Sequence, residues 1–253
     1  MVRNALLEID KFQGTPFPPK TINIEGKQYS MENIFLDADL KIVIRTQETD
    51  IVDLVGGQDG AYSEPELDNL MLDHRLRSDN GDNMSAYLII VNGLYDPQDA
   101  ENPGPDRGTL GIMFNRRQRL GTSVFYGADM IRSDEYAFFR TTIHELGHQF
   151  NLLHEDATSY SDNESRRFTI MNQTWVMRRH KSTEEEFEVP EGTFSDERKY
   201  PGWPKGIGFK FGKFEKIHLS THDFSRVAPG GSRFGVCDPV HGEWSQTYRE
   251  RIE

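Results

Sequence analysis

Residues 133–154 constrain the chain most, because two patterns are superimposed there. Tyr136, Phe139, Ile143, Leu146 and Phe150 recur at i, i+3, i+4 spacing, the signature of a helix that buries one stripe against a core. Ser133 can cap it, and Asp134 and Glu135 sit in the first turn, where the helix dipole favours anions. The opposite face carries Ala137, Thr141, His144 and His148. Helix residues four apart point only about 40° from one another around the axis, so the two imidazoles stand side by side. A fold that contains this helix must supply a sheet for its apolar stripe and an occupant for its histidines.

The histidine face reads His144-Glu145-Leu146-Gly147-His148. Two imidazoles so placed can each reach one zinc ion at roughly 2.0–2.1 Å, whereas Glu145, one position round, lies beside them and suits a general base better than a ligand. A catalytic zinc site needs a third protein ligand and an open position. His154 is the natural third if the helix ends soon after His148 and the chain turns back, and Asn151 supplies the means, since after glycine it most readily adopts the left-handed conformation that ends a helix. A glutamate on a later helix, Glu164 or one of Glu184 to Glu186, is the alternative. Cys237 is the only cysteine, so intrachain disulfides and thiolate metal clusters are excluded and any metal falls to histidine and carboxylate.

The segment His144-Glu145-Leu146-Gly147-His148-Gln149-Phe150-Asn151-Leu152-Leu153-His154 resembles the signature of the metzincin clan of zinc endopeptidases, His-Glu-x-x-His-x-x-Gly-x-x-His followed by a methionine turn. Asn151 stands where the clan has glycine. Met171, in Phe168-Thr169-Ile170-Met171-Asn172-Gln173, fits the place of the turn methionine, whose thioether underlies the zinc-binding imidazoles. Gln173 occupies the position at which some metzincin families carry a tyrosine, so no tyrosine ligand is implied. The resemblance implies an α+β, metzincin-like fold with a twisted mixed sheet and the active-site helix in the N-terminal half and a loop-rich C-terminal half. It implies Zn²⁺ as cofactor on His144, His148 and His154, with Glu145 as base for peptide hydrolysis. It further implies a protein or peptide substrate laid along an edge strand, Gly121 to Tyr126, contributed by Thr122, Ser123, Val124 and Phe125, beside a pocket whose wall follows Met171. Trp175 and Met177 would line that pocket or fill the core.

The remaining chain reads as follows. Residues 1–35 form an N-terminal extension with a hairpin around Ile22-Asn23-Ile24 and Tyr29; residues 36–253 form one catalytic domain, with an upper part to 154 and a lower part from 155. Leu40 to Arg45 has the continuous apolar character of a strand buried on both faces. Ser63-Glu64-Pro65-Glu66 opens a helix over 64–77, and strands follow at 86–91, 110–114 and 122–126, the first two strands being joined by the helical crossover. Two loops rich in Asp, Asn and Gly, 78–83 and 96–106, make Ca²⁺ a second candidate cofactor. His218 and His222 repeat the i, i+4 spacing but lack a glutamate beside the first histidine, so a second metal site is not expected. Cys237 reads as a packed thiol.

A net charge of -12 argues against nucleic acid or an anionic membrane as partner. Aromatic residues at 11% place the chain among globular proteins. No run approaches a membrane span and the first residues lack the apolar core of a signal peptide, which fits a cytosolic chain or one whose leader has been removed. The oligomeric state is not written in any motif. The competing reading, from a different class, is a catalytically silent zinc-binding interaction protein; Glu145 argues against it, because a structural site gains nothing from an unliganded carboxylate.

Overall fold

Apolar residues on both sides of strands drawn from residues 3–125 build a sheet with a core cluster on each face. In the computed structural model, which describes residues 2–46, 51, 61–76, 84–95, 105–106, 108–115, 117–154, 169–171 and 209–235, the elements are β1 (Arg3–Lys11), β2 (Thr21–Ile24), β3 (Lys27–Ser30), α1 (Met31–Leu36), β4 (Leu40–Thr46), β5 (Ala61–Tyr62), α2 (Glu64–His74), β6 (Met84–Val91), β7 (Gly93–Tyr95), β8 (Pro105–Asp106), β9 (Gly111–Phe114), β10 (Gly121–Phe125), α3 (Asp129–Ser133), α4 (Glu135–Gln149), α5 (Lys213–Thr221) and α6 (Phe224–Val227). The main sheet has five strands in the order β4-β1-β6-β10-β9, parallel except for β9, which runs antiparallel to β10. The chain is therefore mixed α/β with a mixed sheet, compatible with the expected α+β class. Among the described residues no helix is long and apolar enough to cross a membrane.

Side chains of period two divide the core. Ala5, Leu7 and Ile9 of β1 and Ala86, Leu88 and Ile90 of β6 face α1 and α4, whereas Tyr87, Ile89 and Val91 face α2, through Leu67, Leu70 and Met71. Phe209, Phe211, Leu219 and Val227 join the α4 side, with Phe211 5.0 Å from Phe35 and Phe209 6.2 Å from Phe139, ring centre to ring centre. The helix α4 is thus buried on both sides, sheet on one and these later residues on the other.

Four expectations are corrected. Residues 3–11 are not part of an appended extension: β1 lies inside the sheet between β4 and β6. Its sequence, Arg-Asn-Ala-Leu-Leu-Glu-Ile-Asp-Lys, hides the strand because Glu8 and Asp10 are themselves buried, and the Glu8 carboxylate accepts from the Leu76 amide at 3.0 Å. The hairpin of β2 and β3 is present as expected. The crossover through α2 consequently passes over β1, so β4 and β6 are not neighbours. β4 is an edge strand rather than a doubly buried one, with Lys41, Val43 and Arg45 exposed. Lastly, α4 is capped by Asp134, whose side chain accepts from the amides of Tyr136 and Ala137 at 2.9 and 3.2 Å; Ser133 ends the short α3 before it.

The helix start at Ser63 is as read. Glu66 reaches back to accept from the Ser63 amide at 2.8 Å, and Pro65 occupies the first turn, while the helix stops at His74 because Arg75 is extended. Both acidic loops considered for Ca²⁺ lie outside the described residues, apart from Pro105 and Asp106.

Candidate metal centre

The helix α4 ends in the way its sequence requires. Phe150 closes it, Asn151 takes φ +67°, and the Leu152 amide donates back to the Gly147 carbonyl at 2.9 Å. That reversal returns His154 to the histidine face. The Nε2 atoms of His144, His148 and His154 form a near-equilateral triangle, each pair 3.1 Å apart. Three nitrogens held about 2.0–2.1 Å from one ion in tetrahedral array would stand about 3.3 Å apart, so the donor set fits a single small cation. These three residues make the one group of possible metal ligands found among the described residues.

Hydrogen bonds fix how the two helical imidazoles present themselves. His144 Nδ1 lies 2.8 Å from the Ile170 carbonyl and His148 Nδ1 lies 2.7 Å from the Leu152 carbonyl. A carbonyl can only accept, so in each ring Nδ1 carries the proton and Nε2 a lone pair. The 3.1 Å contact between His144 Nε2 and His148 Nε2 therefore sets two lone pairs face to face, an arrangement that a cation would relieve. Burial, then the neighbouring imidazoles of His148 and His154, then Arg140, hold His144 well below the usual histidine pKa, which keeps the ring neutral and able to ligate.

Glu145 is buried beside this triangle, not in it, and burial pushes its carboxyl up to about 8. A divalent cation alongside would act in the opposite sense and favour the carboxylate. A close neighbour of Glu145 is Gly111 of β9, where a Cβ would come within 2.7 Å of Glu145 Cγ. A glycine at that position lets the end strand approach the carboxylate.

Met171 is fully buried against α4. A Cβ on Gly147 would fall 2.4 Å from Met171 Sδ, so the glycine inside the helix, which costs about 1 kcal/mol against alanine, is explained by the thioether seated on it. The turn is held by Arg140, one helical turn before His144, whose guanidinium donates to the carbonyls of Thr169 at 2.8 Å and Ile170 at 3.0 Å. Ile170 O thus accepts from both Arg140 and His144. Thr169 in turn donates through Oγ1 to Glu215 at 2.7 Å, and Glu215 also accepts from the Gly212 amide. Burial lifts Glu215 to about 7, opposed by these two hydrogen bonds and by Arg140.

The proposed substrate strand is corrected. Thr122, Ser123, Val124 and Phe125 lie in β10, which is internal to the sheet and buried throughout, with Thr122 and Ser123 hydroxyls donating to the Tyr87 and Ile89 carbonyls at 3.1 Å. The hairpin from β9 to β10 folds its second strand inward against β6, so β9 is left at the edge. His218 and His222 are a hydrogen-bonded pair, Nδ1 to Nδ1 at 2.7 Å, and His218 Nε2 donates to the Phe150 carbonyl at 3.1 Å; both nitrogens of His218 are used within the protein. Glu164, Glu184 to Glu186, Trp175, Met177 and Cys237 lie outside the described residues.

Sequence reading missed the supports. Arg140 and Arg119 are fully buried, and Arg119 donates to the carbonyls of Gln149 at 2.7 Å, Val227 at 3.1 Å, Ala228 at 2.8 Å and Ser232 at 2.8 Å. The position of Arg140, four residues before a ligating histidine, was an available signal; nothing local marked Arg119. The chain matches no known family profile, and a search of curated proteins finds no similar sequence.

Proposed function

We propose that the protein is a zinc-dependent endopeptidase of metzincin type. The observation that carries this reading is the triangle of imidazole nitrogens with two lone pairs turned inward by carbonyl-bound Nδ1 protons, and a buried carboxylate, Glu145, set beside it. The left-handed turn at Asn151 and the burial of Met171 under Gly147 support the same reading, since they are the features a metzincin signature calls for.

His144, His148 and His154 would hold the metal, which supplies a Lewis acid that polarises a scissile carbonyl and acidifies water. Glu145 accepts the proton from attacking water and passes it to the departing amine. Two opposed influences suit it to this duty: burial raises the carboxyl, to about 8 on its own, while a bound divalent cation would favour the carboxylate that takes up the proton. The polypeptide substrate would lie extended along β9, the outermost strand of the sheet among the described residues, pairing with its main chain within reach of Glu145.

The test compares zinc content and cleavage of a diverse peptide library between the native chain and Glu145→Gln. Zinc bound equally, with cleavage reduced at least ~10²-fold in the variant, is the expected result for removal of a general base. Undiminished cleavage by Glu145→Gln refutes the mechanism. A native chain that binds zinc and cleaves nothing points instead to a silent zinc-binding interaction protein.

A further inference from the structure

Position 151 is where the chain departs from the metzincin signature, and its side chain does something a glycine could not. The backbone turn needs only a residue tolerant of φ +67°. Asn151, however, is fully buried, and both ends of its amide are engaged: Nδ2 donates to the Arg226 carbonyl at 2.9 Å, and Oδ1 accepts from the Gly235 amide at 2.8 Å. One partner can only accept and the other only donate, so the orientation of the amide is determined. The side chain therefore pins both ends of the segment 226–235 to the turn between the second and third histidines.

That segment is braced further. Arg119 donates to the carbonyls of Val227, Ala228 and Ser232, and the Gly230 amide donates to the Gln118 carbonyl at 2.6 Å. Its last turn carries Phe234, whose ring meets His148 edge to face at 5.6 Å between centres and 89° between planes. The ring of His148 is thus held from two sides, by the Leu152 carbonyl at Nδ1 and by Phe234 against its face or edge.

We infer that Asn151 is a positioning residue that docks segment 226–235 as a wall of the metal centre and, through Phe234, steadies His148. The docking stands on its own; only its effect on metal rests on the proposed zinc site.

The experiment uses the full chain and the variant Asn151→Gly, which keeps the left-handed turn while removing both side-chain hydrogen bonds. Hydrogen exchange at the Gly235 amide reads the docking without metal, and the rate of zinc loss to a chelator reads its consequence. Asn151→Gly is expected to lower Gly235 protection at least tenfold and to speed zinc loss about tenfold, in the range typical of residues that orient metal ligands. Phe234→Ala should speed zinc loss comparably. Unchanged Gly235 protection in Asn151→Gly overturns the docking, and zinc loss within twofold of native in both variants overturns the role of the wall. A native chain that takes up no zinc would count against the proposed function and leave the Gly235 result to decide the docking. Should Asn151→Gly not fold, Asn151→Asp decides it: this variant keeps the acceptor for Gly235 and loses the donor to the Arg226 carbonyl, so amide protection must persist at Gly235 while the Arg226 carbonyl ¹³C resonance moves, and loss of Gly235 protection or an unmoved Arg226 carbonyl refutes the model of a two-point anchor.

Discussion

Glu215 shows how a single buried carboxyl leaves a mark on the whole titration of stability. Its folded pKa of about 7 stands above the ordinary 4.5, with burial the main cause. Between those values the folded chain binds a proton that the unfolded chain has released, so its contribution to stability is complete below pH 4.5 and is lost as pH rises through 7. His218 acts with the opposite sign: burial, and then His222, depress its pKa, so its contribution is present above 6.5 and is lost as pH falls. Glu215→Gln is therefore expected to shrink the decline in Tm of the metal-free protein between pH 4.5 and about 7, leaving the part that Glu145, raised by burial to about 8, contributes, while the acid-side decline due to His218 persists. A Tm decline between pH 4.5 and 7 that is undiminished in the variant would show that Glu215 does not contribute to it. At this scale the cluster of three histidines was legible in the sequence, because helical geometry juxtaposes His144 and His148 and the left-handed turn at Asn151 returns His154 to them. Arg119 and Glu215 were not, and Arg140 offered only its position one turn before His144, because their partners are backbone carbonyls, amides and hydroxyls brought in from distant parts of the chain.

Among the elements, α4 carries the densest constraints, and Gly147 is its most exacting position. Alanine there gains about 1 kcal/mol of helix propensity but must displace Met171 Sδ from a point 2.4 Å from the new Cβ, and overpacking of a close-packed core costs about 1–3 kcal/mol. We expect Gly147→Ala to lower the urea midpoint, and the same substitution in a Met171→Ala background to be neutral or stabilising; destabilisation of equal size in both backgrounds would mean the two side chains do not meet. The element pattern also shows what periodicity can and cannot reveal. α2 and α4 were found because their apolar residues repeat with the helical period, and β6 and β10 because they are short apolar, β-branched and aromatic runs. β1 was missed because its second face, opposite Ala5, Leu7 and Ile9, is buried through Glu8 and Asp10, and the edge position was assigned to β10 instead of β9 because lateral order in a sheet is set by how a hairpin folds, which the linear order of strands does not encode.

For the molecule as a whole, a metal held by three residues of the folded chain alone must couple binding to folding. Zinc at about 100 times its Kd should add ~2.7 kcal/mol of stability, seen as a rise in Tm that EDTA reverses. His154→Ala should abolish most of that rise; a rise that survives it would assign the third ligand to a residue such as Glu164 or Glu184. Distant parts of the chain converge on the same body: the Arg3 guanidinium, at the start of β1, donates to the Leu219 carbonyl at 3.0 Å and to the His222 carbonyl. Synthesis from the N-terminus gives that closure a temporal meaning. β1 emerges before α5 yet cannot complete its contacts until α5 has been made, and the three histidines leave the ribosome ahead of Ile170, Arg226 and Gly235, the residues that orient or enclose them. On a growing chain the His144 and His148 rings are free to exchange tautomers and His144 has no carbonyl to choose between them. Selective metal binding by these histidines would thus have to wait until residues up to Gly235, the last of these braces, have been translated.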